Sequence, residues 1–233
     1  MKRCFIAILI LFVGCCQPPA ISLPASPLLD QQSSSLDVLE AVCLILPIRT
    51  TDDVPGIGGG TAFVYKEDDK NLYLLTAGHV VKTHKSVQVR FFVGGSYQSA
   101  LEAKVSGTAY DDEDHTTDLA TLVIDKHGLL FSPKVIPLSN KNAVVGEQIL
   151  TAGCPAGHWP SACLGKVLKI RLLGKTFNFH PNVIPGRSGS PIIRKGTNEV
   201  IGLVIMCNDK IGEGTALSLN GMLRLGLIGN EQP

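Results

Sequence analysis

Several things that would point elsewhere are missing from this chain. Charge imbalance is absent: Lys and Arg total 21 against 20 Asp and Glu, a net charge of +1, so electrostatics give no reason to propose nucleic acid or an anionic lipid surface as partner. Zinc-type spacing of Cys and His is absent, and nothing in the sequence asks for a metal or an organic cofactor. Long amphipathic helical patterns are scarce, with only Gly78 to Thr83 and Leu219 to Leu227 as weak candidates, and no repeat of solenoid period is found. Aromatic content is low, at 6%. With 233 residues the chain has room for one compact unit or two small subdomains, which excludes a large multidomain architecture.

Long hydrophobic runs are also missing. The longest, Phe5 to Val13, falls well short of the roughly 20 apolar residues a spanning helix needs. It follows Lys2 and Arg3 and precedes Gly14-Cys15-Cys16, which is the three-part form of an export signal. Cys15 after Leu11-Phe12-Val13-Gly14 resembles a bacterial lipobox, in which the cysteine is lipidated, although Phe12 departs from the usual aliphatic residue. Ordinary signal cleavage and a short retained anchor are the alternatives. Residues 1–16 are therefore read as signal or lipobox, and 17–37, rich in Pro, Ser, Ala and Gln, as a flexible spacer. The expected location is the cell envelope or periplasm on a lipid tether, or outside the cell.

Of seven cysteines, Cys43, Cys154, Cys163 and Cys207 lie beyond the signal region. In an exported domain they permit three pairings, among which Cys154 with Cys163 would close a small loop; four unpaired thiols are the other reading.

The body of the chain is a series of short β-type runs: Ala41 to Ile48, Thr61 to Lys66, Leu72 to Leu75, Val87 to Val93, Leu119 to Ile124, Gln148 to Ala152, Lys166 to Leu173, Pro191 to Arg194 and Val200 to Met206. Turn signals such as Gly94-Gly95-Ser96 separate them. An all-β barrel or sandwich is predicted, with the polar tract Tyr110 to Thr117 as the most exposed connection.

Three residues invite chemistry. Ser188 sits in Pro185-Gly186-Arg187-Ser188-Gly189-Ser190-Pro191. A serine hydroxyl needs a base to take its proton and donors for the oxyanion that forms. The glycines permit a tight turn that could aim the amides of Gly186 and Ser188 at one point, although Gly, Ser and Pro also build ordinary hairpin loops. His79 follows the apolar run Leu74-Leu75-Thr76-Ala77-Gly78, where a strand gives way to a turn, and an imidazole accepts and returns protons at neutral pH. Asp118 heads the strand Leu119 to Ile124, and a carboxylate there is costly to bury unless paired. Pairing with His79 would satisfy it, with Asp111, Asp112, Asp114 and Asp125 as competitors for the role.

Taken together, Gly59-Gly60-Thr61-Ala62-Phe63-Val64-Tyr65, Leu75-Thr76-Ala77-Gly78-His79-Val80, Thr117-Asp118-Leu119-Ala120 and Gly186-Arg187-Ser188-Gly189-Ser190-Pro191 resemble the trypsin-like serine proteases, in the order His, Asp, Ser. Within that family Thr151-Ala152-Gly153-Cys154-Pro155-Ala156-Gly157, together with Gly202 to Cys207 and Gly214 to Leu217, is similar to bacterial HtrA-type catalytic domains. The segment after Ser188 is too short for the regulatory peptide-binding domain that many of those proteins carry. The resemblance implies the chymotrypsin-like double-barrel fold: two antiparallel six-stranded β-barrels over 38–130 and 131–227, a tail at 228–233, and a site in the cleft between them. It implies His79, Asp118 and Ser188 as catalytic residues and the Gly186 and Ser188 amides as oxyanion hole.

The family's geometry implies a substrate pocket near Asn182 and Val183, Ile205, Met206 and Cys207, and Gly214 to Ala216. No acidic residue stands there, which disfavours Lys or Arg before the cut and favours a small or medium aliphatic side chain. His180 near that wall is a candidate for binding an acidic side chain, or a turn residue before Pro181. Two departures stand out: Arg187 replaces the aspartate that pairs with a new N-terminus in digestive enzymes, arguing against that activation route, and Ser190 replaces a glycine, adding a side chain beside the nucleophile and narrowing the cleft. The partner expected is a polypeptide substrate, cut by a serine endopeptidase through an acyl-enzyme. The rival readings are a silent lipid-tethered peptide-binding protein and an esterase or acyltransferase with the same nucleophile.

Overall fold

The computed structural model describes residues 37–46, 59–82, 84–181, 183–208 and 212–229. The signal, Cys15, most of the spacer and Asn182 lie outside the described residues. A helical turn over 37–41 (α1) leads into the first sheet.

That sheet comprises β1 (Val42–Ile45), β2 (Gly60–Glu67), β3 (Asn71–Thr76), β4 (Ser86–Val93), β5 (Ser96–Tyr97), β6 (Leu101–Tyr110) and β7 (Asp118–Asp125), in the order β1-β2-β3-β7-β6-β4-β5. β4 pairs back onto β1, with Cys43 opposite Phe91, so six antiparallel strands close into a barrel and β5 remains a short flap on β4. The second barrel comprises β8 (Gln148–Gly153), β9 (Ser161–Arg171), β10 (Thr176–His180), β11 (Pro191–Arg194), β12 (Val200–Asn208) and β13 (Glu213–Ser218), closed in the order β10-β13-β12-β11-β8-β9. The double-barrel expectation is thereby met. Two helices complete the elements, α2 (Gly78–Val81) and α3 (Leu219–Arg224), the latter begun by Ser218, whose hydroxyl accepts from the Gly221 amide at 3.0 Å.

Strand alternation explains why the apolar runs are continuous rather than interrupted by polar residues. Successive side chains point to opposite faces, and in the first barrel both faces are covered. Ala62 and Val64, Leu72 and Leu74, and Leu122 and Ile124 fill the barrel, while Phe63, Leu75 and Leu119 turn out to the second one. There they meet Ala152, Ile193, Leu203 and Leu217, with Leu219 and Met222 of α3 closing the seam. The second barrel is filled by Ile149, Phe177, Phe179, Ile192, Ile201 and Val204. The seam is thus a third apolar core, and burial of this kind, at about 25 cal/mol per Å² of apolar surface, holds the barrels together.

Several elements differ from the sequence reading. β1 is shorter than the run Ala41 to Ile48 suggests among the residues described, and β9 begins at Ser161, ahead of the predicted Lys166. It ends at Arg171 because Leu172 and Leu173 take positive φ angles of 50° and 54°, a turn that leaves Leu173 exposed. β6 and β10 are not among the predicted runs. In β6 the inward Leu101, Ala103 and Val105 alternate with the outward Glu102, Lys104 and Ser106, a period-two pattern that a search for unbroken apolar runs passes over; β10 is too short for its alternation to stand out.

Candidate active site

His79, in α2 just past β3, and Asp118, the first residue of β7, belong to one barrel. β3 pairs with β7, and Thr76 at the end of the one lies opposite Ala120 near the start of the other. The chain turns at Ala77 into α2 and brings His79 over the head of β7. Both oxygens of Asp118 are then used: the His79 backbone N–H donates to Oδ1 at 2.8 Å, and Nδ1 lies 2.8 Å from Oδ2. Asp118 is 4% exposed, so this double grip offsets the cost of burying its charge. A carboxylate only accepts, so in the neutral imidazole Nδ1 carries the proton and Nε2 keeps its lone pair for another partner.

The competing aspartates are occupied elsewhere. Asp111 accepts from the amides of Glu113 and Asp114, Asp114 from Thr116 and Thr117, and Asp125 from the amide of His127. Asp112 accepts from Tyr110 and pairs with Lys82 at 3.2 Å. The hydrogen bond from Tyr110 holds the Asp112 carboxyl below the usual range, and Lys82 lowers it further. Lys82 also sits 4.6 Å from the centre of the Tyr110 ring, which lies 6.4 Å from the His79 imidazole. These groups flank the histidine without touching its Nδ1.

Ser188 belongs to the second barrel but is docked on the first. Its carbonyl accepts the Thr61 N–H at 2.8 Å. A β-carbon at Gly60 would lie 2.7 Å from Val80 Cγ1 and 3.2 Å from the Ser188 carbonyl oxygen, so the residue following His79 and the Ser188 segment press on Gly60 from two sides. Gly189 has the same role one residue on: its β-carbon would lie 2.4 Å from Thr76 Oγ1 and 3.0 Å from the Ala77 amide. Only glycines let the two barrels close to this distance.

The backbone amides of the loop fall into two sets. Those of Arg187, Gly189 and Ser190 donate to the carbonyls of Ile184, Val204 and Arg187 at 3.2, 2.8 and 2.9 Å. Those of Gly186 and Ser188 donate to no acceptor among the described residues. Gly186 has φ 90°, and a β-carbon there would lie 2.6 Å from both the Cys154 carbonyl oxygen and the Ala156 amide nitrogen. Any other residue would be strained and would collide with the backbone. Two unengaged amides, that of Ser188 itself and that of Gly186 two residues before it, form a place where negative charge could be received.

Thr61 ties this arrangement together, a role the sequence did not reveal. Its hydroxyl donates to the Gly186 carbonyl at 2.8 Å and accepts from the Cys154 amide at 2.9 Å, while its carbonyl accepts from Thr76 Oγ1 at 2.7 Å. The Ala156 amide donates to the Pro185 carbonyl at 2.7 Å. Ser190 does not narrow the cleft as the sequence suggested. It is fully buried, with its hydroxyl turned toward Gly153, where an added β-carbon would lie 1.9 Å from it.

The remaining predicted residues are more scattered. Ile205 and Met206 line a cavity of about 220 Å³ with His115, Thr116, Arg171, Leu172, Thr176, Asn178 and Thr215. Cys207 is partly buried beside Met206 on β12. Val183 and Ala216 are packed into the second barrel's core, and a β-carbon at Gly214 would meet the Phe179 ring at 2.4 Å. His180 ends β10 and is exposed. All four described cysteines are free thiols, so neither the Cys154–Cys163 loop nor another pairing is formed. Burial pushes the Cys154 thiol up to about 12 and that of Cys43 well above its ordinary value.

Comparison with known proteins agrees with this geometry. Residues 60–203 match the family model of the trypsin-like peptidase domain. No curated protein sequence matches the chain significantly. Among solved structures, the active form of the Rv3671c protease from M. tuberculosis is 24% identical, with a TM-score of 0.65 over 97% of this chain and 96% of that one. A serine endoprotease from Yersinia pestis is 20% identical, with a TM-score of 0.65 over 87% of this chain and 65% of the other. Deg5 is 21% identical, with a TM-score of 0.60 over 84% and 93%. At such identities the structures speak for the fold.

Proposed function

The chain belongs to the trypsin-like peptidase family, and on that premise we propose that it is a serine endopeptidase whose triad is His79, Asp118 and Ser188. The observation that carries the reading is the two-point hold of Asp118 on His79, at the lip where the Ser188 segment crosses Gly60.

His79 Nε2 takes the proton of Ser188 Oγ as that oxygen bonds to the carbonyl carbon of a bound peptide. The carbonyl oxygen becomes negative and is received by the amides of Gly186 and Ser188, worth about 3 kcal/mol for each such donor. Asp118 steadies the imidazolium formed. That imidazolium gives its proton to the leaving amine as the C–N bond breaks, leaving an ester on Ser188. Water then gives a proton to His79 and attacks the ester, and Ser188 recovers its proton as the acid product leaves.

Substrate preference follows the same line of argument. Ile205 and Met206 line an open cavity whose wall carries no acidic residue, which supports an uncharged, small or medium aliphatic side chain before the cut over Lys or Arg. The N-terminal sequence supports export, with Cys15 as a lipid anchor; incorporation of labelled palmitate that a Cys15→Ala change abolishes would bear this out, and unchanged incorporation would refute it.

The test of the main reading is digestion of a denatured protein by the purified chain, with the products sequenced and Ser188→Ala as control. Internal cuts after aliphatic residues, absent in the control, are expected. Hydrolysis of simple esters with no peptide cleavage would make it an esterase, and a folded chain inert to both would make it a binding protein.

A further inference from the structure

Arg187 is the odd residue of the nucleophile loop. It is 4% exposed, yet no carboxylate pairs with it among the described residues. Its Nη2 donates to the Ser161 carbonyl at 3.0 Å and to the Ser161 hydroxyl at 2.6 Å, and its Nη1 is buried with no partner. A buried guanidinium left partly unsatisfied and without a counter-charge works against folding; an apolar side chain of similar length would be neutral or better. Stability therefore does not account for it.

Its position does. Arg187 lies between Gly186 and Ser188, whose amides are the pair left without acceptors. Ser161 begins β9 and is paired with Gly153 at the end of β8. The connection between those strands carries the Cys154 carbonyl that crowds Gly186 and the Ala156 amide that bonds Pro185. Arg187 thus straps the loop to the far end of the hairpin whose near end already braces it, fixing the loop on both sides. The strap is formed wholly within one barrel, from a side chain and a strand terminus.

From this we propose that Arg187, through Ser161, is a positioning residue that holds the Gly186 and Ser188 amides toward the oxyanion. The inference rests on the peptidase reading above. It requires that stability and catalysis move in opposite directions on its removal.

The test compares wild type with Arg187→Met, Arg187→Lys, Ser161→Ala and the Arg187→Met/Ser161→Ala double variant, on a peptide substrate and on a peptide aldehyde. The aldehyde forms a hemiacetal with Ser188 whose oxygen occupies the same place as the oxyanion. Arg187→Met is expected to melt at the wild-type temperature or above it, to lose roughly 30- to 100-fold in kcat with KM changed less than about twofold, and to lose aldehyde affinity in parallel. Arg187→Lys, which keeps a donor for Ser161 but not the planar fork, should recover part of the rate. Ser161→Ala should lose roughly threefold to fivefold, and the double variant should be no slower than Arg187→Met, since both act through one contact. Unchanged kcat and aldehyde affinity in Arg187→Met would overturn the proposal. So would a fall in rate that tracks a fall in melting temperature across the series, including Ser161→Ala. A wild-type chain that cleaves nothing and binds no aldehyde would overturn the peptidase reading itself.

Discussion

The two barrels have the same architecture and contribute to the site in different ways. The first supplies His79, in α2 just past the end of β3, and Asp118, at the head of β7, and the β3–β7 pairing brings them together inside that barrel. The second supplies Ser188 on a loop whose position depends on groups from both barrels: Thr61 on the first, Cys154 and Ala156 on the second. The proposed base and its carboxylate partner are therefore fixed by local pairing, whereas the proposed nucleophile is fixed by the seam. Damage to the first should alter chemistry while leaving geometry intact, and damage at the seam should disturb both.

The largest effects test the chemical half. Ser188→Ala or His79→Ala should lower kcat by at least about 10⁴-fold, with substrate affinity and melting temperature close to wild type, and the double variant should be little worse than either, measured by hydrolysis rates and thermal unfolding. Asp118→Asn should cost on the order of 10³- to 10⁴-fold, because an amide in place of one oxygen favours the wrong imidazole tautomer. Rates that multiply in the double variant would show that the residues do not act as a unit.

A smaller effect tests the seam. Thr61→Val keeps the shape of the side chain but strands the Gly186 carbonyl and the Cys154 amide. It should cost about 2–6 kcal/mol of stability, from about 1–3 kcal/mol for each of the two buried groups left unsatisfied, and about tenfold in kcat. Loss of rate without loss of stability would mean that the two barrels are coupled by something other than this hydroxyl.

The smallest is a pH effect on the wall behind the loop. Burial raises the Cys154 thiol to about 12 and Cys43 in the same direction. Folding thus favours the protonated thiol, so its contribution is complete below the ordinary thiol range and is lost as pH climbs from about 9 to about 12. The melting temperature should fall more steeply above pH 9 in wild type than in Cys154→Ala, and an identical slope would place the thiol's proton outside the folding equilibrium.

Much of this was legible in the sequence for physical reasons. His79, Asp118 and Ser188 stand at strand ends flanked by apolar runs or glycines, local patterns that need no knowledge of the partner strand. β7 was legible because both its faces are buried and its apolar run is unbroken. β6 formed no such run, because only one of its faces is covered and Leu101, Ala103 and Val105 alternate with Glu102, Lys104 and Ser106. Thr61 as a tie between barrels, Ser161 as the anchor of Arg187 and the inward turn of Ser190 were also hidden. Each depends on contacts between residues far apart in the chain, and a threonine or serine in a strand carries no local sign of such a role. The cysteines show the same limit: spacing permitted a Cys154–Cys163 bridge, but the strands place all four as separate thiols.

The central claim is that Ser188 is an activated nucleophile dependent on His79. Labelling of the purified chain with a fluorophosphonate, followed by mass spectrometry of the adduct, tests it most directly. The account predicts a single adduct on Ser188 in wild type that is lost in both Ser188→Ala and His79→Ala. An adduct on another residue, labelling that survives His79→Ala at the wild-type rate, or no labelling of the folded chain would contradict it.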